Sequence, residues 1–69
     1  MKYDYNKIVD TLRLLRLKRR LKQSDIAKEL DITGPMYSIL ENKKCILDAQ
    51  QLLDLLNYYE VSLEDLNND

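Results

Sequence analysis

At 69 residues the chain has room for one domain, near the lower size at which a hydrophobic core sustains itself. An apolar share of 45% argues against disorder, one Gly and one Pro leave little punctuation for β-hairpins, and no apolar run approaches the roughly 20 residues of a membrane span. The net charge of −1 hides a split: residues 1–44 carry all 11 bases and six acids, a balance of +5, whereas residues 45–69 carry six acids and no base.

Helical spacing of Ile8, Val9, Leu12, Leu15 and Arg16 predicts a first helix from Tyr5 to about Arg20. Leu14 and Leu17 fall off that stripe and suggest a second apolar contact. A second helix runs from Gln23 to Leu30, with Ile26, Ala27 and Leu30 inward, Lys22 or Ser24 near its start, and Asp25 where the helix dipole favours an acid. Asp31-Ile32-Thr33 is a tight turn. Thr33 is a good N-cap, and Pro35 suits a first turn whose N–H groups lack intrahelical partners. The third helix is Gly34 to about Glu41, with Tyr37 and Leu40 inward and Met36 read as core or contact surface, core being favoured.

Asn42-Lys43-Lys44-Cys45 reads as a polar loop. Asp48 caps a fourth helix, Ala49–Tyr59, expected to bury Leu52, Leu53, Leu55 and Leu56. Ser62 caps a short fifth helix, Leu63–Leu66, and the tail Asn67-Asn68-Asp69 should fray. The chain shows no repeat and no internal boundary, so residues 1–69 are one all-α domain.

Cys45 is the lone cysteine, which excludes an intrachain disulfide and a cysteine metal cage; it is expected to be half-buried. Histidine is absent, and the adjacent acids Glu64 and Asp65 read as solvated surface, so no catalytic constellation, cofactor or metal is expected. The opening Met1-Lys2-Tyr3-Asp4-Tyr5 lacks a signal peptide's apolar core, so a cytoplasmic protein without a membrane partner is expected.

The second and third predicted helices are the informative pair. Counting Gln23 as position one, large apolar residues fall at four, eight, ten, fifteen and eighteen (Ile26, Leu30, Ile32, Tyr37, Leu40), with small Ala27 at five. Two helices crossing steeply over a short turn need a small side chain at closest approach and bulk around it. That arrangement leaves the third helix projecting, shaped for a groove about 12 Å wide.

Here the sequence resembles the Cro/Xre repressor-like helix-turn-helix family. The likeness covers Leu15 to Leu66: Leu15-Arg16, Leu21-Lys22-Gln23-Ser24-Asp25-Ile26-Ala27, Glu41-Asn42-Lys43-Lys44, Leu52-Leu53-Asp54-Leu55 and Val61-Ser62-Leu63-Glu64-Asp65-Leu66 stand in the family's order. It implies a five-helix, lambda-repressor-like DNA-binding domain with its helix-turn-helix at helices two and three. It further implies that Gln23 meets a phosphate or base edge, and that Arg16 and Glu41 form a semi-buried ion pair. Asn42 and Lys44 would reach the DNA backbone, and Thr33, Gly34, Pro35, Ser38 and Ile39 would lie on the sequence-reading face.

The chain departs from that pattern at four places. Arg20, Asp31, Lys43 and Glu60 stand where the family usually has glycine. A left-handed conformation costs a non-glycine residue roughly 1 kcal/mol, least for Asp; at Lys43 the adjustment is expected to pass to Asn42. The reading face also lacks the Arg, Gln or Asn of strong base readout, leaving the Thr33 and Ser38 hydroxyls, apolar contact with thymine methyls, and DNA shape. Phosphate attraction would come from Arg13, Arg19, Arg20, Lys22, Lys43 and Lys44.

Two functional readings follow. The first is a transcriptional regulator, a small repressor of phage or mobile-element type, on double-stranded DNA. The second is a protein-interaction module on the same fold, an antirepressor or a subunit masking a regulatory protein. A homodimer is left open, with Tyr58, Tyr59, Val61, Leu63 and Leu66 as core or interface.

Overall fold

The computed structural model describes residues 2–68 as five helices in chain order: α1 (Tyr5–Lys18), α2 (Gln23–Glu29), α3 (Gly34–Glu41), α4 (Ala49–Tyr59) and α5 (Leu63–Asn67). No helix is long and apolar enough to cross a membrane among the described residues. α1 packs against α3 and α5, and α2 against α3. A shared core of Ile8, Val9, Leu12, Ile26, Ala27, Leu30, Tyr37, Leu40, Leu47, Leu55, Tyr59 and Leu66 draws on all five helices and the loop before α4. Short helices are marginal alone, so this common burial is what holds each of them.

Local chemistry fixes the helix starts. Asp4 caps α1 by accepting from the Asn6 and Lys7 amides, and Thr33 Oγ1 accepts from Met36 N at 3.2 Å. Asp48 with Gln51 and Ser62 with Asp65 form reciprocal capping boxes at α4 and α5. At α2 the Asp25 carboxylate accepts the Lys22 amide at 2.8 Å.

The helix ends share one device. Arg20, Asp31, Lys43 and Glu60 all have φ between 56° and 65°, the left-handed region. After each comes the paired bonding of a Schellman turn: Leu21 N to Arg16 O, Ile32 N to Ala27 O, Lys44 N to Ile39 O, and Val61 N to Leu56 O, at 2.9–3.1 Å. Lys43 itself takes the strained backbone while Asn42 stays at φ −84°, contrary to the expectation from sequence. The turn geometry demands a left-handed residue at Lys43, the donor of the inner bond to Leu40 O, whatever its side chain.

Several other placements differ from the sequence reading. Leu53 lies on the outer side of α4, away from buried Leu55 and Tyr59, and is exposed. Leu14 and Leu17 also face out and are exposed, outside the core formed by the described residues. Cys45 is exposed because the loop carries it past the core, where Leu47 enters instead. Tyr59 and Leu66 belong to the core, with Tyr58, Val61 and Leu63 half-buried around it.

Asn67 does not fray: it closes α5 and is buried, its Oδ1 accepting from Asp4 N at 2.8 Å. Thr11 joins the same corner by donating to Leu66 O at 3.1 Å, and the Tyr5 hydroxyl accepts from Leu47 N at 2.9 Å. These contacts bind the chain ends and the α3–α4 loop to α1. Of the tail, Asp69 lies outside the described residues.

Candidate nucleic-acid interface

One buried polar cluster sets where α3 stands. Arg16 on α1 donates from Nε to Glu41 Oε2 at 2.8 Å and from Nη2 to Oε1 at 2.9 Å, and both residues are buried. Arg16 Nη1 also donates to Leu21 O at 2.8 Å, so one guanidinium ties α1, the turn before α2 and the end of α3. Planar two-point pairing of this kind fixes orientation as well as distance.

Glu41 collects further donors. Gln23 Nε2 donates to its Oε1 at 3.0 Å, and Arg13 lies 3.9 Å away. Burial opposes the Glu41 charge, but hydrogen bonds from Arg16, Gln23 and Tyr37 outweigh it and hold the carboxyl below its ordinary pKa. Burial and Glu41 together push the Tyr37 phenol well above its ordinary value. Burial pushes the Tyr59 phenol up to about 12.

Gln23 therefore sits half-buried with one amide hydrogen committed to Glu41, whereas the sequence suggested contact with DNA alone. The carboxylate is close and shielded from water, so it captures the amide. The Gln23 side-chain amide makes no other hydrogen bond among the described residues.

With Tyr37, Leu40 and Glu41 inward, α3 turns Pro35, Ile39 and Asn42 outward, flanked by Met36 and half-buried Ser38. Met36 and Ile39 are each 38% exposed, so Met36 is surface rather than core. Its direction follows from the helical period, since it lies well over a quarter-turn from Tyr37. Gly34 opens the helix at negative φ, and a Cβ there would meet nothing within 4 Å apart from its neighbours Thr33 and Pro35. The only acid between Gly34 and Lys44 is Glu41, which is turned inward. Ser38 Oγ lies 3.4 Å from Asn42 Nδ2, so the outer rim of the helix is polar at its end.

Not all expected cations stay free. Arg19 donates to Tyr59 O at 3.1 Å and stacks 5.1 Å from that ring's centroid, and Lys43 pairs with Asp10 at 2.7 Å. Arg20, Lys22 and Lys44 make no ion pair among the described residues. Lys44 has a structural signature that sequence reading missed. In the turns after α1, α2 and α4, the residue following the left-handed position is apolar and packs on the core: Leu21, Ile32 and Val61. After α3 that place belongs to exposed Lys44, so the turn presents a cation beside the outer face of the helix.

The helix-turn-helix family model matches residues 12–66, most of the chain and all of the α2–α3 unit. The chain belongs to the Cro/Xre-type helix-turn-helix family. Nothing among the curated proteins or the solved structures matches it. Membership makes this helix-turn-helix protein a DNA-binding regulator, with α2 and α3 as the named unit. The inward cluster on Glu41 sets the angle at which that unit presents α3.

Proposed function

We propose that this helix-turn-helix protein is a small repressor of phage or mobile-element type that lays α3 in the major groove of duplex DNA. Asn42 and Lys44 hold the backbone from the following turn, with Gln23 reaching a phosphate through its second amide hydrogen. One observation carries the reading: the outward side of α3, from Thr33 to Lys44, exposes no carboxylate and ends in a lysine that makes no ion pair among the described residues. Such a surface is attracted to phosphate. Its Pro35 and Ile39 offer apolar contact to thymine methyls, and the Thr33 and Ser38 hydroxyls offer short hydrogen bonds. Sequence preference then comes from methyl contacts and DNA shape more than from paired hydrogen bonds.

A second reading rests on the same exposed Met36 and Ile39, which would also suit the apolar face of a partner protein. Fluorescence anisotropy on duplexes from around the coding region, across a salt series, separates the two. For a DNA regulator, log affinity falls linearly with log salt, and Lys44→Ala reduces that slope by about one. Absence of duplex binding at low salt, with Ile39→Asp abolishing capture of a protein partner, would instead establish the interaction module.

A further inference from the structure

We propose that copies of this protein associate head to tail, the outer face of α1 in one copy docking on the outer face of α4 in the next. α1 leaves Leu14 and Leu17 exposed at 53% and 48%, one helical turn apart on the side away from the core. Lys7 and Lys18 share that side, and neither makes an ion pair among the described residues. Asp10, the acid on this face, is neutralised by Lys43. α4 exposes Leu53 at 58%, with Ala49 one turn before it, half-buried Leu56 one turn after, and exposed Glu60 beyond. The last 25 residues contain six acids and no base, so the field around this strip is negative.

Charge selects the partner. Pairing α1 with α1 sets lysines against lysines, and pairing α4 with α4 sets Asp48, Asp54 and Glu60 against their own copies, an excess of acid that Arg19, held at Tyr59, offsets only in part. Only α1 on α4 joins two leucine strips of matching pitch while bringing opposite charges together. The two faces differ, so the contact is heterologous and each copy keeps one face open for another. The strips are short beside the roughly 800 Å² per partner of a standard interface, which makes the contact weak and dependent on concentration.

Sedimentation velocity on the full chain, from about 10 µM to about 1 mM at low salt, tests this. Wild type is expected to shift to larger species as concentration rises and to lose that shift when salt screens the surface charges. Leu14→Gln with Leu17→Gln, and separately Leu53→Gln, each remain monomeric while circular dichroism shows the helices intact. Mixed together, the two variants recover association as a one-to-one pair, because each retains the face the other lost. Three results would overturn the proposal: a wild type monomeric throughout, leucine variants that associate like wild type, or a mixture of the two that stays monomeric.

Discussion

Arg16 and Glu41, 25 residues apart in sequence, meet through two hydrogen bonds of 2.8 and 2.9 Å inside the domain and thereby couple α1 to the last turn of α3. Removing one member of a buried pair leaves the other charge without compensation, at a cost of about 3–5 kcal/mol. A domain of this length has a total stability of only about 3–10 kcal/mol. Glu41→Gln is therefore expected to lower the urea midpoint sharply or unfold the chain. Replacing both residues with leucine costs far less, because no charge is stranded. A double-mutant cycle by urea denaturation checks the coupling.

The same pair sets the acid limit of stability. Glu41 has a folded pKa below its unfolded value, so the stabilisation is present above the ordinary carboxylate range and is lost as pH falls through the folded pKa. Urea midpoints should stay level between about pH 7 and 5 and drop below about pH 4. At the alkaline end the sign reverses. Tyr37 and Tyr59 have raised pKa values, so their contribution is complete below the ordinary phenol range and fades as pH rises toward the folded values. In the double-leucine variant the acid limb attributable to Glu41 should vanish while the alkaline limb persists.

Much of this fold was legible because periodicity and capping act locally. The starts at Gln23, Gly34, Ala49 and Leu63 follow from residues within one turn of each site, while left-handed Arg20, Asp31 and Glu60 were legible through the family's glycines and Lys43 was not. What the sequence hid is decided at a distance. Asn67 looks like tail until Asp4 is seen beside it, and Thr11 looks like surface until Leu66 O accepts its hydroxyl. Leu53 and Leu55 are indistinguishable by residue type, yet a 200° step around α4 puts one outside and one in the core. At the interface, the projecting helix was readable from spacing, but Gln23's inward bond and the fixing of Arg19 on Tyr59 depend on neighbours 18 and 40 residues away.

Glu60 offers a direct measure of backbone strain. It sits at φ 57°, ψ 47° after α4, with no side-chain hydrogen bond or ion pair among the described contacts. Glu60→Gly removes the left-handed penalty and should stabilise the domain by about 1 kcal/mol. Asp31→Gly, at φ 57°, should gain less, because aspartate tolerates that region better. Lys43→Gly should gain least, since it also deletes the 2.7 Å bond to Asp10. Thermal melts of the three variants give the order; equal gains would show that side-chain identity does not set the strain.

Gly34 is the chain's one glycine, and no positive φ calls for it. The four left-handed positions that would favour glycine carry other residues, while Gly34 has a negative φ and, apart from its neighbours Thr33 and Pro35, nothing within 4 Å of where a Cβ would stand. Glycine in a helix loses more backbone entropy than alanine on folding, by roughly 0.5–1 kcal/mol. Against that gain, a Cβ directly before Pro35 crowds the proline ring and disfavours the helical region, so Gly34→Ala should leave the melting temperature within a few degrees of wild type. If α3 enters the groove as proposed, the added methyl meets the DNA at the start of the helix. Duplex affinity should then fall by about tenfold, equivalent to about 1.4 kcal/mol, while the salt slope is unchanged because no charge was removed. Parallel melts and anisotropy titrations measure both quantities. A folded variant that binds duplex as tightly as wild type would show that Gly34 stays clear of the groove, and would rotate the reading face toward Ser38 and Ile39.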